Sequence, residues 1–166
     1  MLFGRPFKLF GLTVWHEPVC LFNFEWVFNT YGPFEYVVEL GTGTGGLSLF
    51  LYLQQVVRGG RFVTFDKCAP SPILKRIGVD VRICDIFREV DSIQRILQNH
   101  RSFLYCDNGD KVREVTTFAP HLTPGSVLGV DDWGFEITED DVSDVLQNFG
   151  LVTPPFLTKQ RFWVRK

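Results

Sequence analysis

The chain has 166 residues, 45% of them hydrophobic and 15% aromatic, enough for one domain with a substantial core and too few for a separate substrate domain. Lys and Arg number 17 against 19 acids, and the formal charge of -2 argues against a protein held on nucleic acid chiefly through phosphates. No apolar run approaches the ~18 residues of a membrane span, so a soluble cytoplasmic protein is expected.

The first 34 residues are rich in Phe and Trp, and no strand-turn-helix unit is legible in them. Pro18 opens a predicted helix over residues 19 to 30, which Tyr31-Gly32-Pro33 ends. This segment reads as a cover over the domain, its aromatics (Phe7, Phe10, Trp15, Phe22, Phe24, Trp26, Phe28) serving core and lid packing. His16 lies between Trp15 and Glu17 near the helix start, where a structural or surface role is expected before a catalytic one. Cys20, Cys68, Cys84 and Cys106 form no CxxC pair, so neither a zinc site nor a disulfide framework is suggested.

From residue 35 onward strands and helices alternate. Tyr36 to Leu40 predicts a strand, and the helix after it runs from Leu47 to Val57 and stops at Arg58-Gly59-Gly60. Strands follow at 61 to 65, 79 to 84, 102 to 106 and 126 to 130. The connections between them carry a single helical turn at 73 to 77 and helices at 90 to 98 and 111 to 118. Asp66, Asp85, Asp107 and Asp131-Asp132 close these four strands in turn. In an open parallel sheet the carboxyl ends of the strands form the ligand edge, so the acids converge there. A helix at 139 to 148, stopped by Gly150, precedes two last strands at 151 to 157 and 160 to 164. Their join, Thr158-Lys159, is short enough to require antiparallel neighbours. The expected fold is α/β: a Rossmann-like three-layer sandwich on a mostly parallel seven-stranded sheet with one antiparallel C-terminal strand. Residues 1–34 form its helical or lid segment and 35–166 its main body.

Between the first strand and helix of that body lies Glu39-Leu40-Gly41-Thr42-Gly43-Thr44-Gly45-Gly46. Glycine admits positive φ and lets a ligand approach the backbone while the helix N-terminus presents free N–H groups. The turn therefore suits a nucleotide-like cofactor. Gly41, Gly43 and Gly46 satisfy GxGxxG, while Gly41, Gly43 and Gly45 satisfy GxGxG, so spacing alone leaves a nicotinamide dinucleotide open. Asp66 stands where ribose hydroxyls would be bound in either case.

Glu39-x-Gly41-x-Gly43-x-Gly45, Asp66 after the next strand and Asp85-Ile86 after the third together resemble the first motifs of class I S-adenosylmethionine-dependent methyltransferases. The resemblance implies that Glu39, Gly41, Thr42, Gly43 and Gly45 shape the methionine end of a cofactor site. By the same resemblance Asp66 with Lys67 binds ribose, Asp85 with Ile86 holds adenine, and Asp107 closes the site. The second half, Tyr105-Cys106-Asp107-Asn108, Pro124-Gly125-Ser126 and Val130-Asp131-Asp132-Trp133, is similar to the metal-dependent branch with catechol O-methyltransferase-like and cephalosporin hydroxylase-like members. That implies magnesium on Asp107, Asp131 and Asp132, and O-methylation of a small molecule. Asp107, His16 or a metal-bound water is then the candidate base. His100 and His121 read as structural. Trp133 reads equally as an acceptor platform or as core. Acceptor contacts would come from residues 1 to 34, from the loop after Asp132 or from a second subunit of a homodimer. The alternatives are a non-catalytic relic that keeps the cofactor fold and an NAD(P)-dependent oxidoreductase.

Overall fold

The structure is a computed structural model and describes residues 6–166; the first five residues of the N-terminal segment lie outside it. It opens on a hairpin, β1 (Phe7–Leu9) and β2 (Leu12–Val14), whose turn places Phe10 and Gly11 at positive φ. Helix α1 (Pro18–Tyr31) follows. Then come β3 (Tyr36–Leu40), α2 (Gly46–Arg58), β4 (Arg61–Asp66), α3 (Pro72–Arg76), β5 (Asp80–Ile83), α4 (Val90–Asn99), β6 (Ser102–Cys106), α5 (Lys111–Phe118), β7 (Val127–Val130), α6 (Glu139–Leu146), β8 (Phe149–Val152) and β9 (Arg161–Arg165). Seven strands form one sheet in the order β5-β4-β3-β6-β7-β9-β8. Only β9 runs against its neighbours, pairing antiparallel with both β7 and β8, which is the predicted architecture.

Register aligns the ligand edge. Leu40 pairs with Phe65 on one side and Cys106 on the other, and Cys106 pairs with Val130. One residue further on, Asp66, Gly41, Asp107 and Asp131 therefore stand in a row. The ladder continues through them, with Asp107 N–H donating to Leu40 O (2.8 Å) and Asp131 N–H to Cys106 O (3.1 Å). A side chain at Gly41, where φ is 101°, would overlap the Asp107 carbonyl, so glycine is required by both backbone angle and space.

The sheet's two faces bury separate cores. One packs Ile93 and Leu97 of α4, Val115 and Phe118 of α5 and Val142 of α6 against Val38, Leu104 and Leu128. The other takes α1, α2 and α3, with Phe24 edge-on to Phe103, Tyr105 and Phe162 at centroid distances of 6.1, 5.0 and 5.7 Å. Much of the phenylalanine excess is spent here. Phe24 and Phe28 are buried, so α1 is a structural layer, while Phe10, Trp15 and Phe22 are exposed rather than packed.

The C-terminal boundaries differ from those expected. Helix α6 ends at Leu146, and Gly150, predicted to stop it, lies inside β8 opposite Val164. Strand β8 ends at Val152, since Pro154 and Pro155 follow after a single residue and cannot donate to a ladder. Residues 153–160, not a two-residue turn, therefore join β8 to β9. No helix among the described residues is long and apolar enough to cross a membrane.

Candidate functional site

The glycine turn is held from three sides. Glu39, 1% exposed beneath it, accepts a hydrogen bond from Ser48 of α2. Burial pushes its carboxyl up to about 8, even against the Ser48 and Thr64 hydroxyls, which favours the protonated form of Glu39. Thr42 and Thr64 share a hydroxyl hydrogen bond of 2.6 Å. Gly43 N–H donates to Asp66 Oδ2 and Cys68 N–H to Asp66 Oδ1, both at 2.8 Å. Each Asp66 oxygen keeps one lone pair for a further donor. Around the turn lies a cleft of about 400 Å³ that reaches from Asp66 past Glu39 to Asp107, Asn108 and Lys111.

Further along the edge, Asp85 accepts Phe87 N–H at 3.0 Å and pairs with Lys67 at 3.4 Å. The Phe87 N–H holds the Asp85 carboxyl below its ordinary range, with help from Lys67. The Ile86 side chain is fully buried in the core, so only its backbone faces the edge. Asp66, Lys67 and Asp85 are thus drawn together beside the glycine turn.

His16 is where the structure departs most from expectation. It is buried, not at the surface, with Nε2 3.2 Å from Asp107 Oδ2, 3.4 Å from Asp131 Oδ2 and 3.3 Å from the Tyr105 hydroxyl. Burial by itself would depress the imidazolium, but hydrogen bonds and charge from both aspartates override it and raise the group to about 10. Asp107 stays above its ordinary range because burial outweighs its partners. Asp131, also penalised by burial, falls below because it receives His16 and also the Gln160 side-chain N–H. Asp132 lies apart, with φ of 49°, and faces Lys159 at 3.3 Å and Lys111 at 3.9 Å.

The hairpin delivers His16. Leu12, Val14 and His16 alternate with Thr13 and Trp15, and the first three are buried. Thr44 Oγ1–H of the glycine turn donates to Thr13 O at 2.7 Å, and a side chain at Gly46 would overlap that same carbonyl. That two-residue alternation was the sequence signal for an inward His16; Pro18 and the Phe-rich helix masked it. Lys111, Glu114 and Gln160 were also not foreseen. Glu114 accepts N–H from Asn108 and Asp110 (3.2 and 3.0 Å), fixing the loop after β6, and burial pushes it up to about 7. Trp133 meets Trp163 at a tilt of 57°, centroids 4.7 Å apart, and packs against the core.

A second pocket, of about 320 Å³, opens beyond His16 and is lined by Trp15, Glu17, Cys20, Asp131, Asp132, Lys159 and Gln160. Trp15, His16 and Asp107 belong to both cavities and form the wall between them. The loop carrying Lys159 and Gln160 is clamped by buried Asn23, whose amide donates to Phe156 O (2.9 Å) and accepts Phe156 N–H (3.1 Å). Asn23→Ala strands both Phe156 backbone groups and is expected to cost about 1–3 kcal/mol. Hydrogen exchange over residues 153–160 checks this; unchanged protection there would show that Asn23 does not hold the loop.

No protein-family model and no curated protein matches the chain. Solved structures do. An apo structure of CmcI superposes with a TM-score of 0.71 at 10% identity, over 96% of this chain and 76% of that one. The fold is that of the class I methyltransferases. MycE, a methyltransferase of the mycinamycin biosynthetic pathway in complex with Mg and SAH, matches with a TM-score of 0.59 at 15% identity. That match covers 85% of this chain, which spans about half (47%) of MycE. The SAH-bound methyltransferase PaMTH1 of Podospora anserina gives a TM-score of 0.58 at 11% identity, over 98% of this chain and 90% of that one. Within this fold the glycine turn, Asp66 and Asp85 occupy one continuous edge, and Asp107 and Asp131 continue it toward the second pocket.

Proposed function

We propose that the protein is an S-adenosylmethionine-dependent methyltransferase acting on a hydroxyl of a small molecule. One observation carries the reading: the glycine-turn cleft and the second pocket meet at a single wall made by Trp15, His16 and Asp107. A two-substrate transfer needs two cavities whose contents touch at one point. Methyl transfer from a sulfonium is an in-line displacement at carbon, so positioning and removal of one proton are what the protein must supply.

The residues fit both halves of that task. Asp66 offers its two remaining lone pairs to a diol, and Asp85 with the Ile86 backbone bounds the adenine end. Neutral Glu39, bonded to Ser48, sets the loop at the methionine end without adding charge. On the acceptor side Asp107 Oδ2 stands at the shared wall, 3.2 Å from His16 Nε2, as the carboxylate placed to take the acceptor's proton. Asp131 fixes the imidazole from the other side, and Trp15, 67% exposed, offers a flat apolar surface to an acceptor. The carboxylates of Asp107 and Asp131 fit a divalent cation, and MycE, which shares the fold, is described in complex with Mg and SAH. Such an ion would lower the pKa of a bound hydroxyl.

Calorimetry with S-adenosylhomocysteine tests the cofactor half. Micromolar binding is expected, weakened at least about ten-fold in Asp66→Ala, which loses hydrogen bonds to a charged acceptor each worth roughly 1.5–3 kcal/mol. Absence of binding to the wild-type chain overturns the reading, and tight NADH binding in its place would select the oxidoreductase.

A further inference from the structure

We propose that His16, Asp107 and Asp131 form a divalent-cation site of mixed nitrogen and oxygen donors, selecting a first-row transition ion such as Mn²⁺ or Zn²⁺ over Mg²⁺. In it His16 takes the position that spacing suggests for Asp132. Cation binding deepens the methyl-transfer reading, and because it is measured without S-adenosylmethionine the two fail separately.

The donor atoms already converge. His16 Nε2, one oxygen of Asp107 and one of Asp131 all lie within 4.8 Å of one another, with the imidazole 3.2 and 3.4 Å from the two oxygens. Donors bound at about 2.0–2.2 Å from one ion stand roughly 2.8–3.1 Å apart along the edges of an octahedron and roughly 3.3–3.6 Å apart along those of a tetrahedron. The imidazole-to-carboxylate spacing already lies between those limits.

Each carboxylate is also oriented for it. Asp107 spends Oδ1 on Lys111 at 3.2 Å and turns Oδ2 inward; Asp131 spends Oδ1 on Gln160 and likewise turns Oδ2 inward. This is the outer-shell pattern that orients metal ligands, one oxygen anchored and the other presented. Asp132 has no such free oxygen, since Oδ1 faces Lys159 and Oδ2 faces Lys111. It is the third ligand by sequence and a lysine partner by geometry.

Charge points the same way. Asp107, Asp132 and Glu136 face Lys111 and Lys159, and Asp131 adds a fourth carboxylate; once His16 gives up its proton on binding and acts as a neutral ligand, two negative charges remain, matching one divalent ion. An imidazole among the donors favours transition ions, whereas Mg²⁺ is served by oxygen alone and gains little from nitrogen.

The test uses the metal-stripped full chain. Calorimetric titration should give Mn²⁺ or Zn²⁺ at least about ten-fold tighter than Mg²⁺, and His16→Ala should erase that preference. Asp132→Asn should stay within about three-fold of wild type, since that carboxylate binds lysines. The chain has 3 histidines, so a His100→Gln, His121→Gln double variant leaves His16 as the sole imidazole. Pulsed EPR of that variant loaded with Mn²⁺ should show imidazole-nitrogen coupling, with no need for a His16 variant to fold. Absence of the coupling, Mg²⁺ binding as tight as the other ions, or Asp132→Asn losing as much as His16→Ala would each overturn the proposal.

Discussion

Replacing Lys111 by methionine lowers stability by about 3–5 kcal/mol, the range found when one partner of a buried ion pair is removed. The lysine is the first residue of α5 and only 4% exposed, yet its ammonium lies 2.8 Å from Glu136, 3.2 Å from Asp107 and 3.9 Å from Asp132. Methionine fills the same space but leaves Asp107 facing Asp131 with one fewer cation beside them. Glu136 is half exposed and screened by water, so most of the loss comes from Asp107. Denaturant unfolding measures it, and at roughly 2–4 °C per kcal/mol the thermal midpoint should drop by about 10 °C. Two comparisons make the result specific. Lys67→Met removes an ion pair whose lysine side chain is 60% exposed and should change stability by less than about 0.5 kcal/mol. Adding Asp107→Asn to Lys111→Met removes the stranded charge and should recover at least about 1 kcal/mol. A Lys111→Met loss no larger than that of Lys67→Met would show that the acid cluster is solvated and needs no internal cation.

The sheet was legible because its signals are local. Tyr36 to Leu40 and Ser102 to Cys106 are short β-branched or aromatic runs bounded by turn residues, and the structure places both strands at those limits. Acids closing successive strands follow from register alone, so the row of Asp66, Asp107 and Asp131 could be drawn before any coordinates. Lost to sequence reading were contacts between distant segments. His16 and Asp107 are 91 positions apart and meet only because a hairpin latched to Thr44 overhangs the sheet edge. Gln160 reaches Asp131 because the two prolines after β8 lengthen a loop that spacing had read as strand. Asp132 differs in the opposite sense: it is adjacent in sequence to Asp131, but successive residues at a strand end point to opposite sides. A positive φ of 49° turns Asp132 toward Lys111 and Lys159 instead.

Glu39→Gln is expected to make the chain more stable above neutral pH while leaving it almost unchanged near pH 4.5. Glu39 is fully enclosed, and burial raises its carboxyl from 4.5 to about 8. Between those two values the folded chain holds a proton that the unfolded chain has released, so stability falls as pH rises. Each unit costs about 1.4 kcal/mol, and the whole window about 5 kcal/mol. Below 4.5 both states are protonated and the residue contributes no pH dependence. His16 acts in the same direction over a higher window, from 6.5 to about 10, since its folded form keeps the proton longer than the unfolded one. Wild type should therefore weaken steadily from pH 5 to pH 9. Glutamine keeps the volume of Glu39 and still accepts the Ser48 hydroxyl, so Glu39→Gln should flatten the lower part of that slope and leave the part due to His16. Unfolding free energies of the two proteins at half-unit intervals decide it: parallel curves from pH 5 to pH 8 would mean that Glu39 ionises freely. That result would also change the reading of the glycine turn, because a charged Glu39 beneath Gly41 could pair with a cationic ligand group, whereas a protonated one only shapes the loop through Ser48.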